Sequence, residues 1–415
     1  MEKMSLKELA VPMIKAIDSF NFLLKSHHRR TAVISYYIGK ELHLKDDELT
    51  DLVLAAALHD IGALSVQEKK CLIEEDVLRP SPHCLMGCKM LSSFDAFGNI
   101  ARIIKHHHVK YEESRQVEEG EILFQSHIVH LADRCDILVN PDLFILNQKK
   151  KVVEKIREKS GTLFHPRVFR AFEQVAKKDI FWIEINYLTM DQLFRRIDFS
   201  IDYELSVEKL VDFARTISRI IDFRSRFTAS HSYTVAHLAY LISGYFGFSE
   251  ERRTKMMIAG YLHDIGKLGV DPALIEKEGG LTDEEFNLVK LHTYFTSQIL
   301  SELSSSVWFH EIVLWAERHH EKSDGSGYPF ALDDSSLDEG VKILAFSDII
   351  SALMEERPYR KGMPSEEAFD LIGNMLADRL SPEMFVEIDN HRDEIEDMVK
   401  QCYAHSFEEY YSGRS

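Results

Sequence analysis

The sequence is poor in cysteine, proline and glycine, and it has no long hydrophobic run. Its five cysteines, Cys71, Cys84, Cys88, Cys135 and Cys402, are an odd number in a large chain, which fits reduced thiols in a cytoplasm rather than a disulfide framework. Cys84 and Cys88 stand one helical turn apart, but no second cysteine pair completes a metal site, so they read as ordinary thiols. Ten prolines and 19 glycines among 415 residues exclude a fibrous or low-complexity chain. No stretch approaches the about 18 apolar residues of a membrane span. The opening MEKMSLKELAVPMIKAIDSF mixes acids among apolar residues and shows no small-residue cleavage site, so secretion is not expected. Positive charge is also scarce: 50 basic against 68 acidic residues leaves a net −18. That balance disfavours binding of long nucleic acid through many phosphate contacts. A small anionic ligand would need metal ions or a local cluster of Arg and Lys.

What the chain has is histidine, 20 in all, and their positions repeat. His27 precedes His59-Asp60 by 32 residues, and His231 precedes His263-Asp264 by the same 32, an offset of 204 between the halves. Further along, His83 pairs with His292 (offset 209), His106-His107 with His319-His320 (213), and Asp133 with Asp348 (215). The offset only grows, as it does when loops gain short insertions. LHDIG at 58–62 returns at 262–266, and HLADRCDIL at 130–138 answers AFSDIISAL at 345–353. The expectation is two homologous domains, 1–195 and 196–415, joined near 190–215. Apolar residues recur at i, i+3, i+4 and i+7 with no convincing strand alternation, which predicts an all-α fold. Val235, Leu238, Ala239 and Ile242 form one helical stripe, and His231 shares it.

A lone histidine on a buried stripe is usually a core residue, but seven candidates in matching order in both halves reverse that reading. Adjacent helical positions would aim His263 and Asp264 about 100° apart, at different faces of one metal or with the carboxylate bridging two. Lys267, at i+4 from His263, is placed to donate a proton beside the metal. With His231, His292, His319, His320 and Asp348, the set has more donors than one tetrahedral ion uses, so two divalent ions are expected. Imidazole and carboxylate without thiolate favour Fe or Mn. Such a pair makes hydroxide available from bound water near neutral pH and clamps phosphodiester oxygens for in-line attack, so phosphoester hydrolysis is the expected chemistry.

The second half, with HS at 231–232, HDIGK at 263–267, His292, HHEKSDGSGYP at 319–329, Asp348 and RPYRKG at 357–362, resembles an HD-GYP domain of the HD superfamily. The likeness runs through most of 205–390. It implies two tandem helical HD-type domains and a cyclic di-GMP phosphodiesterase that yields linear pGpG and, in some members, GMP. By the family pattern His231, His263, Asp264 and Asp348 hold one metal, and Asp264, His292, His319 and His320 the other. Asp264 and Lys267 carry the catalysis, with Lys267 protonating the leaving 3′ oxygen. The loop Asp324, Gly325, Gly327, Tyr328 and Pro329 is expected to form a substrate-facing lip, and Arg357, Arg360 and Lys361 to contact phosphate or guanine. Phe227 stands where members with three metals place a carboxylate, so two metals are expected. Residues 269–282 depart from the family wording, and Thr293 and Thr296 replace a proline and a glycine.

The first half resembles a diverged copy, including SGTLFHP at 160–166. Its candidate metal residues are His27, His59, Asp60, His83, His106, His107 and Asp133, while His28 and His108 read as ordinary histidines. Ala63 occupies the position of Lys267 and no GYP loop follows His108, so a regulatory or scaffolding domain is expected. A non-hydrolytic cyclic dinucleotide receptor and a di-iron redox sensor use the same ligands, but Lys267 favours the enzyme. A homodimer through the linker helix and a regulatory protein partner both stay open.

Overall fold

The computed structural model describes residues 2–19, 26–63, 82–92, 94–116, 120–199, 202–222, 230–275, 277, 279–355, 362–375 and 382–412. Their regular secondary structure is helical except for β1 (Glu2–Ser5) and β2 (Asp202–Leu205), which pair as a two-stranded sheet. Four residues are too few for alternation to register in sequence, which is why no strand was expected there. The all-α class otherwise holds. No described helix is long and apolar enough to cross a membrane.

The chain divides into two compact units. An N-terminal unit contains Ser5–Ala10 and Asn21–Tyr203, and a C-terminal unit contains Met1–Met4, Val11–Phe20 and Glu204–Ser415. Helix α1 (Leu6–Ser19) thus contributes to both, and within the C-terminal unit Lys15 Nζ donates to Gln298 O and Ser301 Oγ.

The N-terminal unit is built on α2 (His27–Glu41), α3 (Asp46–Leu58), α4 (Pro82–Leu91), α5 (Gly98–Lys105) and α6 (Phe124–Ile137). Helices α7 (Lys149–Glu158), α8 (Pro166–Val175) and α9 (Asp179–Tyr187) follow, with short helical segments at Tyr111–Ser114 and Met190–Phe194. The C-terminal unit contains α10 (Val207–Asp222), α11 (His231–Tyr245), α12 (Glu250–Leu262), α13 (Asp283–Val289), α14 (Leu291–Leu300), α15 (Val307–Arg318) and α16 (Glu339–Met354), followed by α17 (Ser365–Met375), α18 (Pro382–Asp389) and α19 (Arg392–Ser412).

The stripe expected on α11 is buried: Val235, Leu238, Ala239 and Ile242 are all inaccessible. Each large apolar side chain so placed contributes about 1.5–3 kcal/mol relative to exposure. Helix α11 crosses α12 closely because residue 260 is glycine. A Cβ there would lie 2.5 Å from Ala236 Cα. Asp338 starts α16 by accepting from Gly340 N (2.7 Å) and Trp315 Nε1 (2.6 Å), and Arg252 Nη2 donates to it at 3.2 Å. Those bonds hold the helix that carries Asp348.

Candidate metal and active site

In the C-terminal unit most of the candidate residues sit at helix ends, and this sets their chemistry. His231 opens α11, His263 follows the last residue of α12, His292 lies in the first turn of α14, and His319 follows α15. The last carbonyls of a helix have no intrahelical donor. Here imidazoles supply it: His263 Nδ1–H donates to Gly260 O, His292 Nδ1–H to Val289 O and His319 Nδ1–H to Ala316 O, each at 2.7 Å. With Nδ1 committed, each neutral ring presents an Nε2 lone pair to the interior.

His263 and Asp264 do not continue a helix, as the spacing argument had them. Helix α12 stops at Leu262, and Ile265–Gly269 form a 3₁₀ turn. The break follows from a close backbone approach, since a Cβ on Gly266 would lie 1.8 Å from His292 O and 2.4 Å from Thr296 N. The turn lets Asp264 face two groups at once. Its Oδ2 is 3.4 Å from His263 Nε2 and 3.9 Å from His231 Nε2, and its Oδ1 is 3.7 Å from His292 Nε2 and 4.0 Å from His319 Nε2. Asp348 Oδ1 is 3.1 Å from His231 Nε2 and 3.9 Å from His263 Nε2. The His320 ring lies 4.0 Å from that of His319, tilted by 45°. Lys267 Nζ is ion-paired with Asp264 Oδ2.

These residues fit divalent cations. The Nε2 atoms of His292 and His319 face each other at 3.5 Å with both Nδ1 hydrogens committed elsewhere, so two lone pairs oppose each other. His263 Nε2 and Asp264 Oδ1 are buried without a hydrogen bond, a costly arrangement unless a cation is near. Burial pushes His292 down to about 4 and His319 to about 3. It acts against Asp264, yet Lys267 and His263 hold that carboxyl well below its usual range. Neutral His292 and His319 beside an ionised carboxylate are in the state that metal ligation requires; for His263 burial acts against the charged form, but Asp264 and Asp348 raise it.

The expected lip lies beside this centre. The Tyr328 ring is 4.9 Å from that of His320 and 6.1 Å from that of Phe286. Asp324 accepts from Ser326 N (2.8 Å), Gly325 has φ +77°, and a Cβ on Gly327 would lie 2.5 Å from Glu321 Cα. Pro329 follows Tyr328 through a cis bond. Glu321, which sequence reasoning passed over, anchors the loop: buried, it accepts from Phe330 N (2.6 Å) and Leu332 N (2.9 Å). Its signal was its place directly after the paired histidines. Arg357, Arg360, Lys361 and Phe227 lie outside the described residues. The substituted threonines have structural work. Thr293 Oγ1 donates to Lys290 O (3.0 Å), and Thr296 Oγ1 donates to His263 O (2.9 Å) while accepting from Gly266 N (3.0 Å).

The N-terminal unit repeats this construction. His59 Nδ1–H donates to Ala56 O (2.8 Å) and His107 Nδ1–H to Ile104 O (2.7 Å). His27 Nε2 faces His59 Nε2 at 3.3 Å and Asp133 Oδ1 at 3.3 Å, and His83 Nε2 is 3.3 Å from Asp60 Oδ1. Burial opposes protonation of His27, but bonds to Asp133 and Asp136 push it up to about 10. Gly62 makes the same close approach as Gly266, with a Cβ position 2.2 Å from His83 O.

One expected residue is displaced. His106 is half-buried beside Lys105, Glu121 and Arg102, while His107 and His108 take the places of His319 and His320. The ring pairs His107–His108 (4.1 Å) and His319–His320 (4.0 Å) match, and the offset is 319 − 107 = 212, not 213. Three consecutive histidines left the register ambiguous, and only the bond to Ile104 O settles it. His108 therefore belongs to the cluster, and His28 touches it, with its ring 5.4 Å from those of His27 and His59. Asp136, also unforeseen, accepts from His27 Nδ1–H at 2.7 Å. Its counterpart is Ser351, 3.2 Å from His231 Nδ1, where buried Glu355 approaches to 3.7 Å. Ala63 is buried where Lys267 stands in the other unit.

Comparison with known proteins gives a consistent set of likenesses. The sequence pattern of the HD domain matches residues 12–168 and again 215–384. The 3'3'-cGAMP-specific phosphodiesterase 1 of Vibrio cholerae is 25% identical over 398 residues, 92% of this chain and 90% of that protein. A cyclic di-GMP phosphodiesterase of Thermotoga maritima is 31% identical over 261 residues, 61% of this chain and 67% of that one. The crystal structure of a cyclic GMP-AMP specific phosphodiesterase of V. cholerae superposes with a TM-score of 0.64 at 23% identity, over 94% of this chain and 98% of that one. That last likeness concerns the fold alone.

Proposed function

The chain belongs to the HD domain family, and from that membership we propose that its C-terminal unit is a metal-dependent phosphodiesterase acting on a cyclic dinucleotide. The observation that carries the proposal is the two-sided Asp264, with one oxygen toward His231 and His263, the other toward His292 and His319, and Lys267 paired to it. In this reading His231, His263, Asp264 and Asp348 hold one divalent ion, and Asp264, His292, His319 and His320 the other, with Fe or Mn suited to the donors. Bound there, the ions supply Lewis acidity toward a phosphodiester and a water of lowered pKa. Lys267 is the general acid for the departing 3′ oxygen. Tyr328 and its loop cover the substrate. The N-terminal unit, residues up to about 195, lacks both the lysine and the loop and serves as a regulatory domain.

Cyclic di-GMP is the substrate that the sequence resemblance implies. A likeness that extends over nearly the whole chain is to a protein named as specific for 3'3'-cGAMP, and it favours that hybrid dinucleotide, with cyclic di-GMP as the second reading. The products are then linear dinucleotides, and the enzyme works in the cytoplasm. A chromatographic assay with anaerobically Fe(II)- or Mn(II)-loaded protein tests this on both substrates. Linear product that disappears in Asp264→Ala, and falls by about 10²–10⁴ in Lys267→Ala with substrate binding retained, supports the enzyme. Binding of a dinucleotide without turnover, despite two bound metals per C-terminal unit, makes the protein a receptor instead.

A further inference from the structure

We propose that the N-terminal unit holds a zinc ion in a closed site formed by Cys84, His83, His107 and His108. The inference adds two residues that the sequence had set aside, Cys84 as an ordinary thiol and His108 as an ordinary histidine. It deepens the regulatory reading of this unit and does not depend on hydrolysis by the other.

The donors are spaced as a tetrahedral ion would space them. Bonds of about 2.1 Å to nitrogen and about 2.3 Å to sulfur at tetrahedral angles separate neighbouring donors by about 3.4–3.6 Å. His83 Nε2 lies 3.4 Å from His107 Nε2 and 3.5 Å from Cys84 Sγ. Cys84 Sγ also lies against the His107 ring, 3.6 Å from Nδ1, the nitrogen that is not offered to the metal. The ligand atoms of all four residues fall within 4.8 Å of one another, and the His108 ring packs 4.1 Å from that of His107 and 5.1 Å from that of His83. Since His107 Nδ1–H is committed to Ile104 O, its Nε2 brings a lone pair toward His83. All four side chains are buried. Cys88, the other half of the sequence pair, is half-exposed, with Sγ 3.5 Å from Ser92 Oγ, and takes no part.

Comparison of the two units shows what the sulfur changes. Cys84 follows His83 as Thr293 follows His292, at the same offset of 209, and Thr293 spends its hydroxyl on Lys290 O. The C-terminal unit therefore offers only imidazole and carboxylate, whereas the N-terminal unit adds a soft thiolate. Thiolate with three imidazoles selects zinc over the harder, six-coordinate ions and fills four positions, leaving none for a reacting water. On binding, a Zn–S bond forms, the S–H bond breaks and the proton passes to solvent. With Ala63 in place of an acid, such a site binds metal without hydrolysing anything.

Cobalt(II) reports the thiolate without reference to turnover. The full-length protein is stripped, reloaded with Co(II) and scanned in the near ultraviolet for thiolate-to-cobalt charge transfer. The C-terminal centre also takes cobalt but has no sulfur among its donors, so the band isolates the N-terminal site. The expected result is a charge-transfer band equivalent to one thiolate per chain, lost in Cys84→Ser and kept in Cys88→Ser. Cys84→Thr, which installs the residue that the other unit carries at this place, guards against misfolding and should also lose the band. Absence of the band from the parent, or its persistence in a folded Cys84 variant, overturns the proposal. Failure of cyclic dinucleotide turnover leaves the outcome unaffected.

Discussion

Replacing Glu321 by Gln tests whether one buried carboxylate holds the lip over the site. Its two oxygens each accept one backbone N–H, from Phe330 at 2.6 Å and from Leu332 at 2.9 Å. Glutamine keeps the volume, but whichever way its amide turns, one N–H meets an NH₂ group instead of an acceptor. Losing one bond to a charged acceptor, weakening the other and leaving a buried donor unsatisfied costs about 3 kcal/mol in total. At about 1.4 kcal/mol per factor of ten, the open form of the 322–333 loop becomes roughly a hundredfold more populated. Amide hydrogen exchange at Phe330 and Leu332 reads that population directly, and both should exchange faster by about that factor. Because Tyr328 rides on this loop 4.9 Å from His320, kcat/KM should fall with it, mainly through KM. Exchange at those two amides within about twofold of the parent would refute the reasoning, since no protected loop could lose such an anchor unnoticed.

Two further predictions concern the scaffold. Thr296→Val is nearly isosteric but removes the hydroxyl that joins His263 O to Gly266 N. It leaves two buried backbone groups without partners, so unfolding of the C-terminal unit should come earlier by about 2 kcal/mol; an unchanged denaturant midpoint would rule that hydroxyl out as a clasp. In the N-terminal unit, burial together with His165 and His130 depresses His127 to about 4. Below the ordinary value of 6.5 the unfolded chain binds a proton that the folded one refuses, so stability drains away as pH falls from 6.5 toward 4. The loss is on the order of 3 kcal/mol at its limit. His127→Leu should flatten that acid limb between pH 7 and 5, and an equally steep limb in the variant would locate the titration elsewhere.

The histidine spacing made both clusters legible before any coordinate, because residues whose order survives duplication must meet in space for a common reason. The spacing could not say how each ring is turned. The orientation comes from helix ends: Gly260 O, Val289 O and Ala316 O capture Nδ1–H only because each helix stops where it does, and those stops depend on side-chain and backbone packing from distant segments. For the same reason the 263–264 pair was placed on a helix that in fact ends at Leu262; the crossing against His292 O that forces the break is 26 residues away in sequence. Three identical letters carry no phase, so the sequence alone does not separate His106 from His108. Glu321 and Asp136 escaped notice since a buried carboxylate and a surface one are written with the same symbol.

Gly62 and Gly266 fill the same niche in two units that differ at the very next residue. Each lets one backbone pass over another where no side chain fits, so the glycine of HDIG marks a crossing of chains, beside a histidine and an aspartate that face the cluster. The next position differs between the units: Ala63 is buried, and Lys267 turns to pair with Asp264. The crossing therefore forms in both units whether alanine or lysine follows it, so the fold does not depend on the residue proposed as proton donor.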